Sequence, residues 1–165
     1  VWTSLGHSDP FITVYCAHFI TEASLKGHYV SPAFMSRIHK ALKTIADSGS
    51  SYSELSRAYA IYVLTLNEEI TSSAIESLKK DITESDSSGA TGYPGLFMAG
   101  SYAMLKKDHD ASMMLGRIKR ALSSEDHDAY LDSLSYQSLY LTMIARHFPS
   151  RLKDREMTGN HGEIQ

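Results

Sequence analysis

Four segments of the chain are apolar around almost the whole circumference of a helix, and they recur about every 40 residues. They begin near Phe11, Leu55, Leu96 and Leu134. The segments between them carry a single apolar stripe. A helix that is apolar all round must be buried on all sides, whereas a helix with one stripe lies at a surface. The alternation therefore predicts two layers of helices, with an apolar inner layer and an amphipathic outer layer.

The pattern predicts only helices, because few stretches alternate with period two and none is flanked by hairpin turns. Pro10 and Pro32 fit the first turn of a helix, where a missing N–H costs nothing, and Gly27 ends the first helix. The predicted helices run over about 10–25, 32–46, 53–67, 72–84, 96–106, 108–122 and 134–147. The apolar stripes of the outer helices are Phe34, Ile38, Leu42 and Ile45; Ala74, Ile75, Leu78 and Ile82; and Met114, Leu115, Ile118 and Leu122. The Gly-rich stretch 85–95 is predicted to be a surface loop, and Asp108 to cap the sixth helix.

A period of about 40 residues is typical of helical-hairpin repeats. An open solenoid stacks such hairpins in a row, and both helices of each hairpin tend to be amphipathic. A closed toroid instead surrounds a ring of inner helices with outer ones. Since the first helix of each hairpin is here much more apolar than the second, the pattern favours an all-α fold, a partial alpha/alpha toroid of helical hairpins. We expect one helical domain over 1–155 and a poorly ordered tail over 156–165.

Composition limits the classes of function. The net charge of -3 and the absence of a basic stripe argue against a nucleic-acid partner. No run of residues approaches the roughly 18 apolar positions of a membrane span. The chain opens on Val1 with neither an initiator Met nor a signal peptide, so we expect a fragment of a longer polypeptide.

The residues that carry chemistry form no recognisable constellation. The eight histidines contain no pair at zinc-ligand spacing, so we assign no metal and no cofactor. His18 is interpreted as a hydrogen-bonded core histidine, and Cys16, mid-helix between Val14 and Phe19, as an inert buried thiol. His109 and His127, each beside an aspartate, are interpreted as solvated cap residues. A nucleophile elbow, a P-loop and a Rossmann fingerprint are absent, so no catalytic residue is assigned and no enzyme is expected.

Tyrosine is the more suggestive residue type on the apolar helices. One interpretation is that tyrosine fills a thick core while its hydroxyl reaches a polar partner; the other is an aromatic-lined central pocket. The first is favoured. The six residues concerned are Tyr15, Tyr59, Tyr62, Tyr102, Tyr136 and Tyr140.

Several runs resemble the thioester-domain region of bacterial alpha-2-macroglobulins. Trp2-x-x-x-Gly6 precedes TVYCAHFITEA at 13–23, similar to the family's Thr-Val-Tyr-Ala-x-His-Phe-Leu-x-Glu-Ala run. GHYVSP at 27–32 is similar to its Gly-Tyr-x-Val-Pro turn, with the match displaced by a residue in two places. RAYAIYVL at 57–64 resembles the next inner helix, and YLTMIARHFPSRL at 140–152 the last one. The resemblance covers about residues 1–155.

The resemblance implies a role as well as a fold. The family's thioester domain is an alpha/alpha toroid in large secreted or envelope-anchored proteins that trap proteases, many through a Cys–Gln thioester. The implied function is therefore part of an endopeptidase inhibitor in the periplasm, in the cell envelope or secreted. The implied partners are neighbouring domains of the same polypeptide and trapped proteases. The family's Cys-x-Glu-Gln segment is absent here, so Cys16 is not the thioester cysteine and this piece is structural. His7 lies near an acyl-transfer histidine of related complement proteins, but its surroundings do not match.

Two other classes of function are compatible with a helical-hairpin array. A tetratricopeptide-like scaffold would bind peptides in a groove, but its period is 34 residues and fits poorly. A toroid enzyme, such as a terpene cyclase or a glycosidase, would need an acidic cluster at the mouth of the ring, and no clustered Asp motif is present. A partial ring would leave inner helices exposed, so we also expect self-association of the fragment.

Overall fold

The computed structural model describes residues 9–47, 49, 51–84, 92–121 and 133–151. Within these ranges the chain forms seven α-helices and no β-strand, which confirms the all-helical prediction. The helices are α1 (Pro10–Leu25), α2 (Pro32–Ala46), α3 (Glu54–Leu66), α4 (Ser72–Glu84), α5 (Tyr93–Met104), α6 (Asp108–Ala121) and α7 (Ser133–His147). The predictions on His7, Leu122, His127 and the tail lie outside the described residues.

Local capping explains where α1 and α2 begin, and Gly27 explains where α1 ends. Asp9 caps α1 by accepting two backbone N–H groups of its first turn, and Ser31 caps α2 by accepting one. Pro10 and Pro32 follow these caps directly, as predicted. The chain leaves α1 through Gly27 at φ 86°, a left-handed conformation that residues with a Cβ rarely adopt.

The helices form two layers. The inner layer is the row α1, α3, α5, α7, in which each helix packs against the next. In the outer layer α2 packs against α1 and α3, α4 against α3, and α6 against α5. The centre of the row is fully enclosed, because residues 55–65 of α3 and 95–102 of α5 are all buried. The predicted alternation of inner and outer helices is confirmed, and the arrangement is that of part of an alpha/alpha toroid.

The outer helices bury the stripes that their sequences predict. Burying one such side chain contributes about 1.5–3 kcal/mol, so each stripe fixes its helix on the inner layer. The buried members are Leu42, Ile45, Ile75, Leu78, Ile82, Met114, Leu115 and Ile118. Phe34 at the start of α2 is 39% exposed, and the Arg37 guanidinium covers its ring at 5.5 Å from the centroid.

The two end helices of the inner row, α1 and α7, are not enclosed. Burial on all sides does not hold for these two helices, whereas the exposure expected of a partial ring is found. Ile12, Tyr15 and Phe19 of α1 are 45%, 61% and 69% exposed. On α7, Leu134 and Leu141 are 72% and 54% exposed. The reason is that α1 packs mainly against α2 and α3, and α7 mainly against α5, so each has a face with no neighbour among the described residues.

Two predicted helix starts are displaced. Helix α5 begins at Tyr93 rather than Leu96, because Pro94 is tolerated in the first turn and the buried Tyr93 ring packs edge-on against Tyr136. Helix α6 begins at Asp108, so this residue lies inside the first turn rather than capping it.

Candidate functional site

Six side chains from three inner helices meet at the inner face of α3. We call them the inner polar cluster: His18 and Glu22 of α1, Tyr59 and Tyr62 of α3, and Arg146 and His147 of α7. Helix α5 contributes the ring of Phe97 and the backbone of Gly100 to its surroundings. All four helices of the inner row therefore take part in this site.

Helical spacing presents these residues in pairs. His18 and Glu22 are four residues apart and share one face of α1, and Tyr59 and Tyr62 are three apart on α3. His147 is the last residue of α7, so it approaches α3 from the end of its own helix. The pairing within each helix can be read from the sequence.

Two hydrogen bonds connect histidines to tyrosines. Nδ1 of His18 lies 2.8 Å from the Tyr59 hydroxyl, and Nε2 of His147 lies 3.0 Å from the Tyr62 hydroxyl. A neutral imidazole has one donor and one acceptor nitrogen. A tyrosine hydroxyl can both donate and accept, so it can pair with either nitrogen. The first bond attaches α1 to α3 and the second attaches α7 to α3. The hydrogen bond predicted for His18 is confirmed, but its side chain is only partly buried rather than enclosed in the core.

Aromatic contacts hold the same rings in place. Tyr59 stacks on Phe97 with centroids 4.2 Å apart and an interplanar angle of 12°. The His18 ring meets Tyr59 and Tyr62 edge-on at 5.5 and 5.7 Å, and His147 meets Tyr62 edge-on at 5.7 Å. Such pairs contribute about 0.5–1.5 kcal/mol beyond the area they bury.

An ion pair links the first inner helix to the last. Nη1 of Arg146 donates to Oε1 of Glu22, and the same carboxylate oxygen lies 3.4 Å from Nε2 of His18. Burial alone would raise the pKa of Glu22, but the hydrogen bond and charge of Arg146 outweigh it, so this pKa is lowered. The Glu22 carboxylate is therefore ionised at neutral pH and joins α1 to α7.

Burial sets the protonation of the other cluster members. It lowers the pKa of His147 to about 4, with the charge of Arg146 acting in the same direction. It also lowers the pKa of His18, against the opposing influence of Glu22. Burial raises the pKa of Tyr62 to about 12 and raises that of Tyr59 as well. At neutral pH the cluster thus holds neutral imidazoles and protonated phenols, which suit it to cross-linking helices.

Gly100 allows the close approach of α5 to this cluster. A Cβ built at this position would lie 3.0 Å from Cε2 of Tyr62 and 3.4 Å from Cδ2 of His147. A side chain here would therefore press against the Tyr62 ring and contact that of His147. The sequence contains this glycine within an apolar helix, but nothing local indicates what it faces.

The structure corrects the interpretation of Cys16. The thiol is exposed rather than buried, because it lies on the outward face of α1 beside Tyr15 and Phe19. Hydropathy could not identify the buried face, since α1 is apolar on both sides.

The tyrosines divide by position in the row. Tyr59 and Tyr62 are buried with hydroxyls that reach polar partners, which confirms the favoured interpretation for these two. Tyr102 is buried beneath the ammonium groups of Lys79 and Lys107, at 5.7 and 5.8 Å from its ring centroid. Tyr15 is 61% exposed, so it fills no core within the described chain.

No metal site or membrane span is found in the part of the chain that the structure describes. There, no three His, Cys, Asp or Glu side chains are close enough together to hold a metal ion. No described helix is long and apolar enough to cross a membrane. His109 is exposed in the first turn of α6 rather than in a loop.

The two layers of helices, with an inner row joined by the inner polar cluster, define a helical toroid-type protein. No family model matches the chain. It is 36% identical over 152 residues to alpha-2-macroglobulin of Rickettsia conorii, which covers 89% of this chain and 8% of the relative. It is 30% identical over 169 residues to that of Pasteurella multocida, and 29% identical over 160 residues to a homolog from Yersinia pestis. The chain belongs to the alpha-2-macroglobulin family.

Solved structures agree with this assignment at the level of the fold. Salmonella alpha-2-macroglobulin reacted with methylamine matches with a TM-score of 0.66 at 21% identity, over 87% of this chain and 10% of that chain. A mutant of the same protein matches with a TM-score of 0.67 at 22% identity. The chain spans only 8% to 9% of the length of the curated relatives.

Proposed function

We propose that this chain is a structural part of the toroid-shaped thioester domain of a bacterial alpha-2-macroglobulin that traps proteases. It contributes framework rather than catalysis, and a thioester, where the polypeptide has one, lies outside these 165 residues because they contain no Cys-x-Glu-Gln. Its partners are other segments of the same polypeptide and, through the whole protein, the captured protease. The family's location in the periplasm, in the envelope or outside the cell carries over with this role.

The exposed stripe of α1 is the observation that carries the proposal. Ile12, Tyr15, Cys16 and Phe19 follow the spacing i, i+3, i+4, i+7, which places them on one face of the helix. We call this face the α1 stripe. Each internal helix of the inner row has an inner-row neighbour on both sides, whereas α1 has one on a single side. A further helix of the same polypeptide, seated on the α1 stripe, would complete the row.

Reactivity of Cys16 tests whether the stripe is covered. In the 165-residue chain we expect a thiol reagent to modify Cys16 at the rate of a free exposed thiol. In a longer polypeptide that contains this sequence we expect Cys16 to be modified at least tenfold more slowly. Peptide mass spectrometry measures the modification at Cys16 in both cases. A Cys16→Ser variant provides the background. Equal rates in the two contexts would contradict packing of the stripe inside the longer protein.

Protease capture is tested separately. A broad-specificity protease is incubated with an excess of the longer polypeptide, and its activity is assayed against a large protein substrate and a small peptide substrate. The protease alone is the control. Trapping predicts loss of activity towards the large substrate with most peptide cleavage retained, because a confined protease stays accessible to small molecules. Full activity towards both substrates would rule out the trapping role while leaving the packing of the α1 stripe intact.

A further inference from the structure

Helix α7 is held by apolar contacts along one face and by polar contacts at its last turn. Met143 and Ile144 are buried near its C-terminus, and His147 is partly buried in the inner polar cluster. Tyr136, Leu139 and Tyr140 pack partly buried against the core along the rest of the helix, while Leu134 and Leu141 face solvent. The polar contacts around the last turn add to these apolar contacts and join α7 to α1 as well as to α3.

The inner polar cluster supplies three of these contacts. His147 bonds to the Tyr62 hydroxyl at 3.0 Å, its ring packs edge-on against Tyr62, and Arg146 pairs with Glu22 across the inner face. Protonation affects both polar contacts. The ion pair requires an ionised Glu22, and a charged His147 would lie partly buried beside the Arg146 guanidinium. Helices α1 and α7 share few other contacts, so this link controls their association.

We propose that the inner polar cluster is an acid-sensitive clasp, which holds α7 against α1 and α3 at neutral pH and releases it when His147 and Glu22 take up protons. A proton on His147 places a second positive charge beside Arg146 and turns both of its ring nitrogens into donors. A proton on Glu22 removes the ion pair that joins α1 to α7.

The titratable groups that surround His147 and Glu22 influence how the clasp responds to pH. Helix α1 contributes His18 and Glu22, together with the more distant Tyr15 and Cys16 that act on Tyr59. Helix α3 contributes two tyrosines that stay protonated at acid and neutral pH, and the α5 residues in contact, Phe97 and Gly100, carry no titratable group. A charged His18 would be partly compensated by Glu22, so His147 is the stronger trigger.

The direction of the pH response follows from the two depressed pKa values. The pKa of His147 is about 4 in the closed clasp and about 6.5 when released, so the released form gains a proton first and closure weakens as pH falls from 6.5 to 4. The pKa of Glu22 is also lowered in the closed clasp, from its ordinary 4.5, so closure weakens further below that pH. Both groups favour release in acid.

Hydrogen exchange of the 165-residue chain tests the clasp. Exchange is followed by mass spectrometry at pH 7.5, 6.0 and 5.0, with intrinsic rates corrected for pH. The lowered pKa of His147 predicts a loss of α7 protection of about tenfold between pH 7.5 and 5.0, after allowance for solvent screening of this partly buried ring. Protection of α3 should change less than threefold. Unchanged protection of α7 at pH 5.0, or parallel loss in α3, would overturn the proposal.

Variants assign the response to the cluster. His147→Gln keeps an acceptor for Tyr62 but does not titrate, so its α7 protection should vary less than threefold over this range. His109→Gln removes an exposed histidine of α6 and should respond like the wild type. Persistence of the full acid response in His147→Gln would contradict the assignment. If circular dichroism shows that His147→Gln has not folded, Glu22→Gln is the second test. It should lower α7 protection already at pH 7.5, and unchanged protection would contradict the proposal.

Discussion

Gly100 shows how a single residue sets the distance between two inner helices. Its missing side chain lets α5 approach the ring of Tyr62, which in turn reaches His147 on α7. In an ordinary helix alanine is favoured over glycine by about 1 kcal/mol. Here the neighbouring rings occupy the space that a methyl group would need.

We expect Gly100→Ala to destabilise the chain by about 1–2 kcal/mol, since overpacking a closed site costs more than the gain in helix propensity. Gly116→Ala is the matched control in α6, where a Cβ meets nothing within 4 Å. It should stabilise by about 0.5–1 kcal/mol. Urea denaturation followed by circular dichroism measures both, and a stabilised Gly100→Ala would show that Tyr62 moves aside without cost.

Local rules made some residues of this protein predictable and left others hidden. The helix ends marked by Pro10, Pro32 and Gly27 depend on neighbouring residues, so the sequence indicates them directly. The partners in the inner polar cluster are 41 residues apart for His18 and Tyr59 and 85 apart for Tyr62 and His147. No local pattern specifies such pairs, because they arise only when the inner helices pack side by side.

At the scale of helices, one ion pair stands out by its burial. Arg57 of α3 is only 5% exposed, and its Nη2 lies 2.8 Å from Oδ2 of Asp81 on α4. A buried charge without its partner costs several kcal/mol. This pair therefore fixes α4 to the enclosed helix α3, at the opposite layer from the inner polar cluster.

Asp81→Ala should destabilise the chain by about 1–3 kcal/mol. This is less than for a fully buried pair, because Asp81 is 39% exposed and water can solvate part of the Arg57 charge that it leaves. The control is Glu76→Ala, which removes the exposed partner of Lys107 and should have a much smaller effect. Thermal unfolding compares the two variants. Equal effects would show that burial of Arg57 does not distinguish its ion pair.

Hydropathy predicted the layers correctly but could not predict which faces lack neighbours. The sequences of α1, α3 and α5 are all apolar over most of their circumference, yet only α3 and α5 are enclosed. The difference lies in what surrounds each helix. A pattern along one helix indicates that a face is suited to burial, but it does not identify the element that buries it.

An uncovered α1 stripe should make the isolated chain associate with itself. We expect light scattering after size-exclusion chromatography to show a mass that rises above the monomer with concentration. Phe19→Lys, at a position 69% exposed, should lower that mass without loss of helix content. Ile70→Lys, at a position 92% exposed outside the stripe, should leave it unchanged. A dispersed wild-type monomer at all concentrations would contradict this expectation.

On the scale of the whole molecule, the chain matches only a small share of the length of its relatives. It spans 8% to 9% of its curated relatives and 10% of the matched Salmonella chain. Helices α3 and α5 at its centre are enclosed like a complete core, whereas α1 and α7 at the two ends of the inner row are not. That contrast fits a frame whose remaining contacts come from other segments of the polypeptide.

A crystal or cryo-electron-microscopy structure of a longer polypeptide containing this sequence is the most direct measurement. We predict that helices α1 to α7 keep their order and that a further helix covers the α1 stripe. In that structure Ile12, Tyr15 and Phe19 should fall from the 45%, 61% and 69% exposure of the isolated chain to below about 10%. An open superhelix in which inner and outer helices are equally exposed, with the stripe still facing solvent, would contradict the account.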